Sequence, residues 1–198
     1  MKTQNTYAIL IVAIAAVSSG LTLQAIGVGE DAPAGTADES GIYGHLTATL
    51  YDEDGNVKAY RQTDNRIVDT GLDVLADLVF GTTLTTTPSV IDIMAIGVSG
   101  TASAAAQTDL LDRTGLGTCT NATVAFLEGA TGAGLVNVTD TVSFQGSLGC
   151  NAGIQEAGLF DANNGNMFAR QSFGVINVGS SDQLDITWSI EINDDGNE

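Results

Sequence analysis

The chain reads as mainly β, a single β-sandwich or jelly-roll-like domain over residues 41–198 with one short helix, preceded by a hydrophobic N-terminal segment. Three observations predict this. From Gly41 onward the apolar residues mostly recur with a period of two, which is the spacing of a half-buried strand. Clusters rich in Gly, Asn and Asp separate those runs, supplying the turns that antiparallel strands need. Only residues 70–80 carry apolar side chains at spacings of three and four, so one helix is expected.

The order of elements begins with residues 1–20. Lys2 gives a minimal positive region and residues 8–17 an apolar stretch of signal-peptide length. Ser18, Ser19 and Gly20 then offer a small-residue cleavage site, with a second site after Ala25. The alternative is an uncleaved hydrophobic anchor, although the second half of the run is interrupted and no basic stop-transfer cluster follows. Residues 21–40 combine a short strand with an acidic linker. Leu21, Leu23 and Ala25 alternate to one side and Ile26 ends the stripe, while Glu30, Asp31, Asp38 and Glu39 sit in a Gly- and Ala-rich stretch without periodicity. A strand on such a leash cannot bury its stripe alone. It either folds back on its own domain or adds to an open sheet edge of a neighbour.

Within the domain, residues 45–51 alternate, Asp52-Glu53-Asp54-Gly55-Asn56 turns, and residues 57–61 return as the second arm of a hairpin. For the helix, Leu72, Leu75, Ala76, Leu78 and Val79 form the apolar face, Asp69 or Thr70 is the expected N-cap, and Gly81 the C-terminal stop. Strands are expected at 90–98, 124–127, 135–138, 141–144, 154–160, 167–173 and 184–192. The last has the cleanest pattern, with Leu184, Ile186, Trp188, Ile190 and Ile192 against Asp185, Thr187, Ser189 and Glu191.

Cys119 and Cys150 are the only cysteines, and in an exported chain an even count favours a disulfide. Two N-glycosylation sequons, at Asn121 and Asn137, lie between them. Catalytic signatures are missing: no Gly-x-Ser-x-Gly elbow, no Lys after a glycine-rich loop, and one histidine, His45, placed at a strand start. One His and two Cys do not make a zinc site. The oxygen-rich turns at 52–56, 161–166 and 194–196 could attract calcium but do not match an EF-hand, and their Asx and Gly residues serve turn geometry. No catalytic, cofactor or metal residue is therefore assigned, and no enzyme activity is expected. The 24 acidic residues against 6 basic ones give a net charge of −18. Such a surface repels phosphate backbones, so nucleic acid is not an expected partner. Contact with the membrane is expected only during export.

Three stretches together resemble a group of structural proteins from tailed phages and archaeal viruses. Residues 69–81 are similar to the short helix of that group. Ile93-Met-Ala-Ile-Gly-Val-Ser-Gly100, the small residues to Gln107, Thr108-Asp109-Leu110 and then Arg113 resemble its constant-loop segment. Ile154-Gln-Glu-Ala-Gly-Leu-Phe-Asp-Ala162 with Met167-Phe-Ala-Arg170 resembles its I-x-E-A-G-L-F-D-A hairpin. The resemblance covers most of residues 65–192. It implies a β-sandwich building block without an active site. The hydrophobic start and acidic linker depart from the viral pattern. They resemble archaeal extracellular filaments, in which an N-terminal strand completes the next subunit's sheet.

The expectation is thus a non-enzymatic, extracellular pilus or filament subunit that polymerises with itself by donating residues 21–28. The alternatives are a cytoplasmically assembled virion tail or fibre protein, and a monomeric surface-binding module using Tyr43, Tyr51 or Tyr60. The strong acidity and low lysine content suit a salt-tolerant archaeal surface.

Overall fold

The computed structural model of the chain describes residues 41–81, 89–116, 119, 121–128, 135–162 and 165–193. The signal or anchor segment 1–20, the strand and linker 21–40 with Leu21, Leu23, Ala25 and Ile26, and the acidic turn at 194–196 lie outside the described residues. The elements are β1 (Ile42–Tyr51), β2 (Val57–Ile67), α1 (Asp69–Phe80), β3 (Ile91–Gly97), β4 (Asn121–Thr123), β5 (Leu127–Glu128), β6 (Leu135–Gln145), β7 (Gly153–Asp161), β8 (Met167–Asn177) and β9 (Gln183–Asn193). A single 3-10 turn, Gly146–Leu148, follows β6. Among the described residues the molecule is mainly β with one α-helix, as the period-two pattern predicts.

All pairings are antiparallel, and the strand order is β4-β3-β7-β8-β2-β1-β9-β6-β5. The sheet folds into two layers at β2 and β8, which share a ladder only where Arg66 and Ile67 oppose Arg170 and Ala169. The two ends of the strand order are β4 and β5, which the short segment Val124-Ala125-Phe126 connects directly. Its first amide donates to Asp92 O of β3 at 2.7 Å and its second to Asp140 Oδ2 of β6 at 2.8 Å. One N–H thus goes to each layer, and the sheet nearly closes on itself.

This segment corrects the expected strand at 124–127. Pairing occurs on either side of it, in β4 and β5, and the apolar run itself is the crossing. The expected strands at 135–138 and 141–144 are one eleven-residue strand, β6. The break between them, Asp140, is the carboxylate that receives the Ala125 amide.

The core lies between the layers. Leu46, Leu50, Phe144, Leu184, Ile186 and Trp188 come from one side and Met94, Ile96, Ile154, Leu159, Phe168 and Ile176 from the other. On β9, Leu184, Ile186, Trp188 and Ile190 are buried as expected, and Ile192 at its far end is exposed. Trp188 is fully buried, and its indole N–H donates to Asn65 Oδ1 at 3.1 Å, satisfying the one polar atom that burial would otherwise orphan. Asn65 reaches it across Gly44, where a Cβ would overlap the amide group.

A second, smaller apolar cluster of Val68, Ala95, Leu110, Phe160 and Met167 lies on the outer face of the β3-β7-β8 layer. The start of α1 and the loop at 98–113 cover it. The helix ends at Gly81 as predicted, with φ +66° and its N–H on Asp77 O. Its start differs from the expected Asp69 or Thr70 cap. The N-cap is Val68, with no side-chain cap bond. Val68 is buried and donates its own amide to Phe168 O, while Asp69 N–H goes to Ala105 O. Attachment to the sheet and loop substitutes for a capping side chain. The buried helix residues are Gly71 and Val74. Leu72 and Leu75 pack at the margin of the core, and Leu78, Val79 and Phe80 are exposed.

Candidate functional site

The polar residues of the two hairpin motifs converge beneath the 98–113 loop. Glu156 on β7 and Arg170 on β8 are both fully buried. The Arg170 Nε and Nη2 atoms both reach Glu156 Oε2, at 2.8 and 2.7 Å. Arg170 Nη1 donates to Gln107 Oε1 and Nη2 to Thr101 O, each at 3.0 Å. The Glu156 carboxylate accepts the amides of Ser99, Leu111 and Asp112. Gln155 Nε2 adds a bond to Val98 O, and the Ser103 hydroxyl donates to Gln171 Oε1. A loop of small residues has little apolar surface with which to hold itself down, and this pair satisfies its backbone from below. Arg113 closes the far end: its guanidinium lies 4.9 Å from the Phe160 ring centroid, bonds Asn121 Oδ1 at 3.1 Å and pairs with Asp109. The arrangement anchors a loop: each nitrogen of the Arg170 guanidinium bonds either Glu156 or the loop, and both Glu156 oxygens accept loop amides.

The sequence-predicted residues are spread over the surface rather than gathered. Cys119 and Cys150 form a disulfide with Cα atoms 5.2 Å apart, joining the segment before β4 to the turn after β6. Its loop of about thirty residues constrains the unfolded chain by roughly 3–4 kcal/mol in the chain-entropy model. Asn121 is exposed on β4, at one limit of the sheet. Asn137 is half-buried on β6, where its Oδ1 accepts the Thr139 hydroxyl at 3.0 Å. His45 pairs with Asp64 across β1 and β2, Nδ1 to Oδ1 at 3.0 Å on the exposed face. Tyr43, Tyr51 and Tyr60 are too scattered for one stacking platform: the first two are eight positions apart on β1, and Tyr60 opposes Thr49 and bonds Gln62.

The oxygen-rich turns use their carboxylates internally. Asp52 Oδ1 accepts the amides of Asp54 and Asn56, with Gly55 at φ +81°. The Asn56 side chain, and then its amide, hold that carboxyl below the usual range. Asp161 accepts the Asn166 amide and side chain in the same manner. Among the described residues, no group of three or more His, Cys, Asp and Glu side chains is placed to hold a metal. Nor, among them, is any helix long and apolar enough to cross a membrane.

One feature escapes a residue-by-residue reading of the sequence. Three of the six basic residues, Lys58, Arg61 and Arg66, lie on β2. Their spacing in so acidic a chain is the signal that finds them. Only Lys58 has a carboxylate partner among the described residues, Asp182, at 2.6 Å. Arg61 donates to two backbone carbonyls, its own neighbour Tyr60 O and Val175 O of β8.

This strand also carries the longest unpaired edge. From Val57 to Asn65 the side of β2 away from β1 has no ladder partner among the described residues, nor has β8 from Gln171 onward on its side toward β2. Side chains bridge the two instead, through Arg61 to Val175 O and Gln171 Nε2 to Thr63 Oγ1. A bulge in β8 lies along this stretch: Ile154 opposes Ile176 while Glu156 opposes Ser172, leaving Phe173, Gly174 and Val175 against Gln155 alone, a geometry that bends the bulged strand.

The Lys58–Asp182 pair makes acid stability testable. Asp182 is almost fully buried, and the Lys58 ammonium, followed by the Gly179 amide, holds its carboxyl below the ordinary range. A carboxyl depressed in the folded state contributes stability above its unfolded pKa and loses it as pH falls through the folded value. Chemical-denaturation midpoints should therefore decline below about pH 4. Asp182→Asn should lower the midpoint at pH 7 and flatten its decline between pH 5 and 2. An unchanged slope would remove Asp182 from the acid response.

No protein-family model, no curated protein and no solved structure matches this chain.

Proposed function

We propose that the protein is a non-enzymatic structural subunit of an extracellular filament, polymerising by donation of residues 21–28 to the sheet of a neighbouring subunit. One observation carries this reading. The outermost strands of the order, β4 and β5, have three and two residues and are bridged to each other, whereas the side of β2 away from β1 has no ladder partner among the described residues over nine successive positions. A long exposed edge is a template for strand addition. The stripe of Leu21, Leu23 and Ala25 on an acidic leash is a strand in need of such a template. Adding it would bury the stripe and satisfy both backbones in one step.

The test is negative-stain electron microscopy of the native protein recovered from its own cell surface, together with a Leu23→Asp variant. Uniform filaments from the native chain and none from the variant, with the variant's circular dichroism spectrum unchanged, are the expected result. Filaments of normal length from Leu23→Asp would defeat the donated-strand reading. Discrete particles only, from the native protein, would defeat the filament itself and favour the virion or monomeric-binder alternative.

A further inference from the structure

We infer that the acceptor is the divergence between β2 and β8, and that Arg66 selects the register by pairing with Glu30 and Asp31 of the incoming subunit. The inference rests on the donated-strand reading above and adds its location, direction and charge recognition.

Three independent features agree on one alignment. The first is length: β2 is unpaired over residues 57–65, nine positions, and the donor stretch 21–28 has eight. The second is the alternation of faces. Along β2 the odd-numbered residues Ala59, Arg61, Thr63 and Asn65 are partly buried and the even-numbered Tyr60, Gln62 and Asp64 are exposed. In an incoming strand the apolar residues are Leu21, Leu23 and Ala25. Strand neighbours side by side share a face, so odd must align with odd.

The third is charge. Arg61 and Arg66 are the two described cations without a carboxylate partner, in a chain of net charge −18. Run parallel to β2 with Leu21 beside Val57, the donor brings Leu23 to Ala59 and Glu30 to Arg66. Sliding it by two positions in one sense sets Glu30 against Asp64, which is repulsive. Running it antiparallel carries Glu30 and Asp31 away from Arg66 toward Lys58, whose charge Asp182 already neutralises. The glycines at 27 and 29 let the chain leave the cleft before Arg66, where β2 and β8 rejoin. Arg61, now lying against Gly174 and bound to Val175 O, fills the space the donor would take, so on assembly it must swing outward and the Gln171–Thr63 bond must open.

Cysteine trapping in the full-length chain tests this. Ile26→Cys with Gln62→Cys places both thiols in one register pair on the exposed face, and the native cysteines are already bonded to each other. Mild oxidation should then yield a ladder of covalent multimers on non-reducing gels. Gln24→Cys with Gln62→Cys, two positions out of register, should yield at least tenfold less. Arg66→Glu should raise the critical concentration for assembly about tenfold, and the added Glu30→Arg should restore it. Filaments that cross-link Ile26→Cys to Ser143→Cys on β6, and not to position 62, would overturn the acceptor assignment while sparing the filament. So would an Arg66→Glu variant that assembles like the parent. A parent chain that forms no filaments would defeat both readings together.

Discussion

Replacing Arg170 with methionine is expected to cost the domain about 3–5 kcal/mol, the range for breaking a buried ion pair by removing one partner. Methionine fills much of the same volume, so the loss is chiefly electrostatic. Glu156, fully buried, would keep three backbone amides and lose its only cation. Gln107 Oε1 and Thr101 O would lose their donors from Nη1 and Nη2. With roughly 2–4 °C of melting temperature per kcal/mol for a chain of this size, a fall near 10 °C is expected.

The loop makes the cause separable from a general loss of packing. Amide exchange at Ser99, Leu111 and Asp112 should accelerate in Arg170→Met well beyond the change at core amides of β9. In Glu156→Leu with Arg170→Met, the unpaired charge disappears and part of the stability should return. Exchange in the loop should stay fast, because its amides still lack their acceptor. A single variant within 1 kcal/mol of the parent, with the loop still protected, would show that this pair does not hold the loop.

How much of this was legible beforehand depended on whether each feature is local. The alternation on β9 is local, and it announced both the strand and its buried face. The hairpin was equally clear, because Asp52, Gly55 and Asn56 supply the turn from within. Helix α1 was legible in existence and in its Gly81 stop, but its Val68 start was not: the bonds that replace a cap come from Phe168 and Ala105, remote in sequence. The 124–127 run has strand composition and extended form, yet its amides are divided between two layers, which no neighbouring residue encodes. Asp140 interrupted an apolar pattern for the same reason, being the acceptor for that crossing. At the candidate site the cysteines, sequons and motif residues could be named, but their roles could not. Glu156 and Arg170 meet only because a bulge at Phe168 shifts the register between β7 and β8, bringing Arg170 opposite Gly158. The open edge of β2 is the farthest from local pattern, since it depends on where another strand, β8, stops pairing with it.

Gly71→Ala should destabilise the domain by about 2 kcal/mol, against the direction that helix propensity alone would give. In a free helix, alanine is better than glycine by up to about 1 kcal/mol. Here a Cβ at position 71 would overlap the carbonyl oxygen and carbon of Phe168, which are backbone atoms of β8. Phe168 O also accepts the Val68 amide at 3.1 Å, so it cannot retreat without breaking the bond that starts the helix. Inserting a methyl into such a contact costs about 1–3 kcal/mol, toward the upper end where the obstacle is backbone rather than a rotatable side chain. The helix must lift, loosening Val68 and Val74 from the layer below. Asp73→Ala, on the exposed face of the same helix, is the control and should stay within about 0.5 kcal/mol of the parent. The expected melting-temperature loss for Gly71→Ala is about 4–8 °C. A variant as stable as the parent would mean that α1 rides on the sheet with slack, and that the close approach of Gly71 is not what seats it.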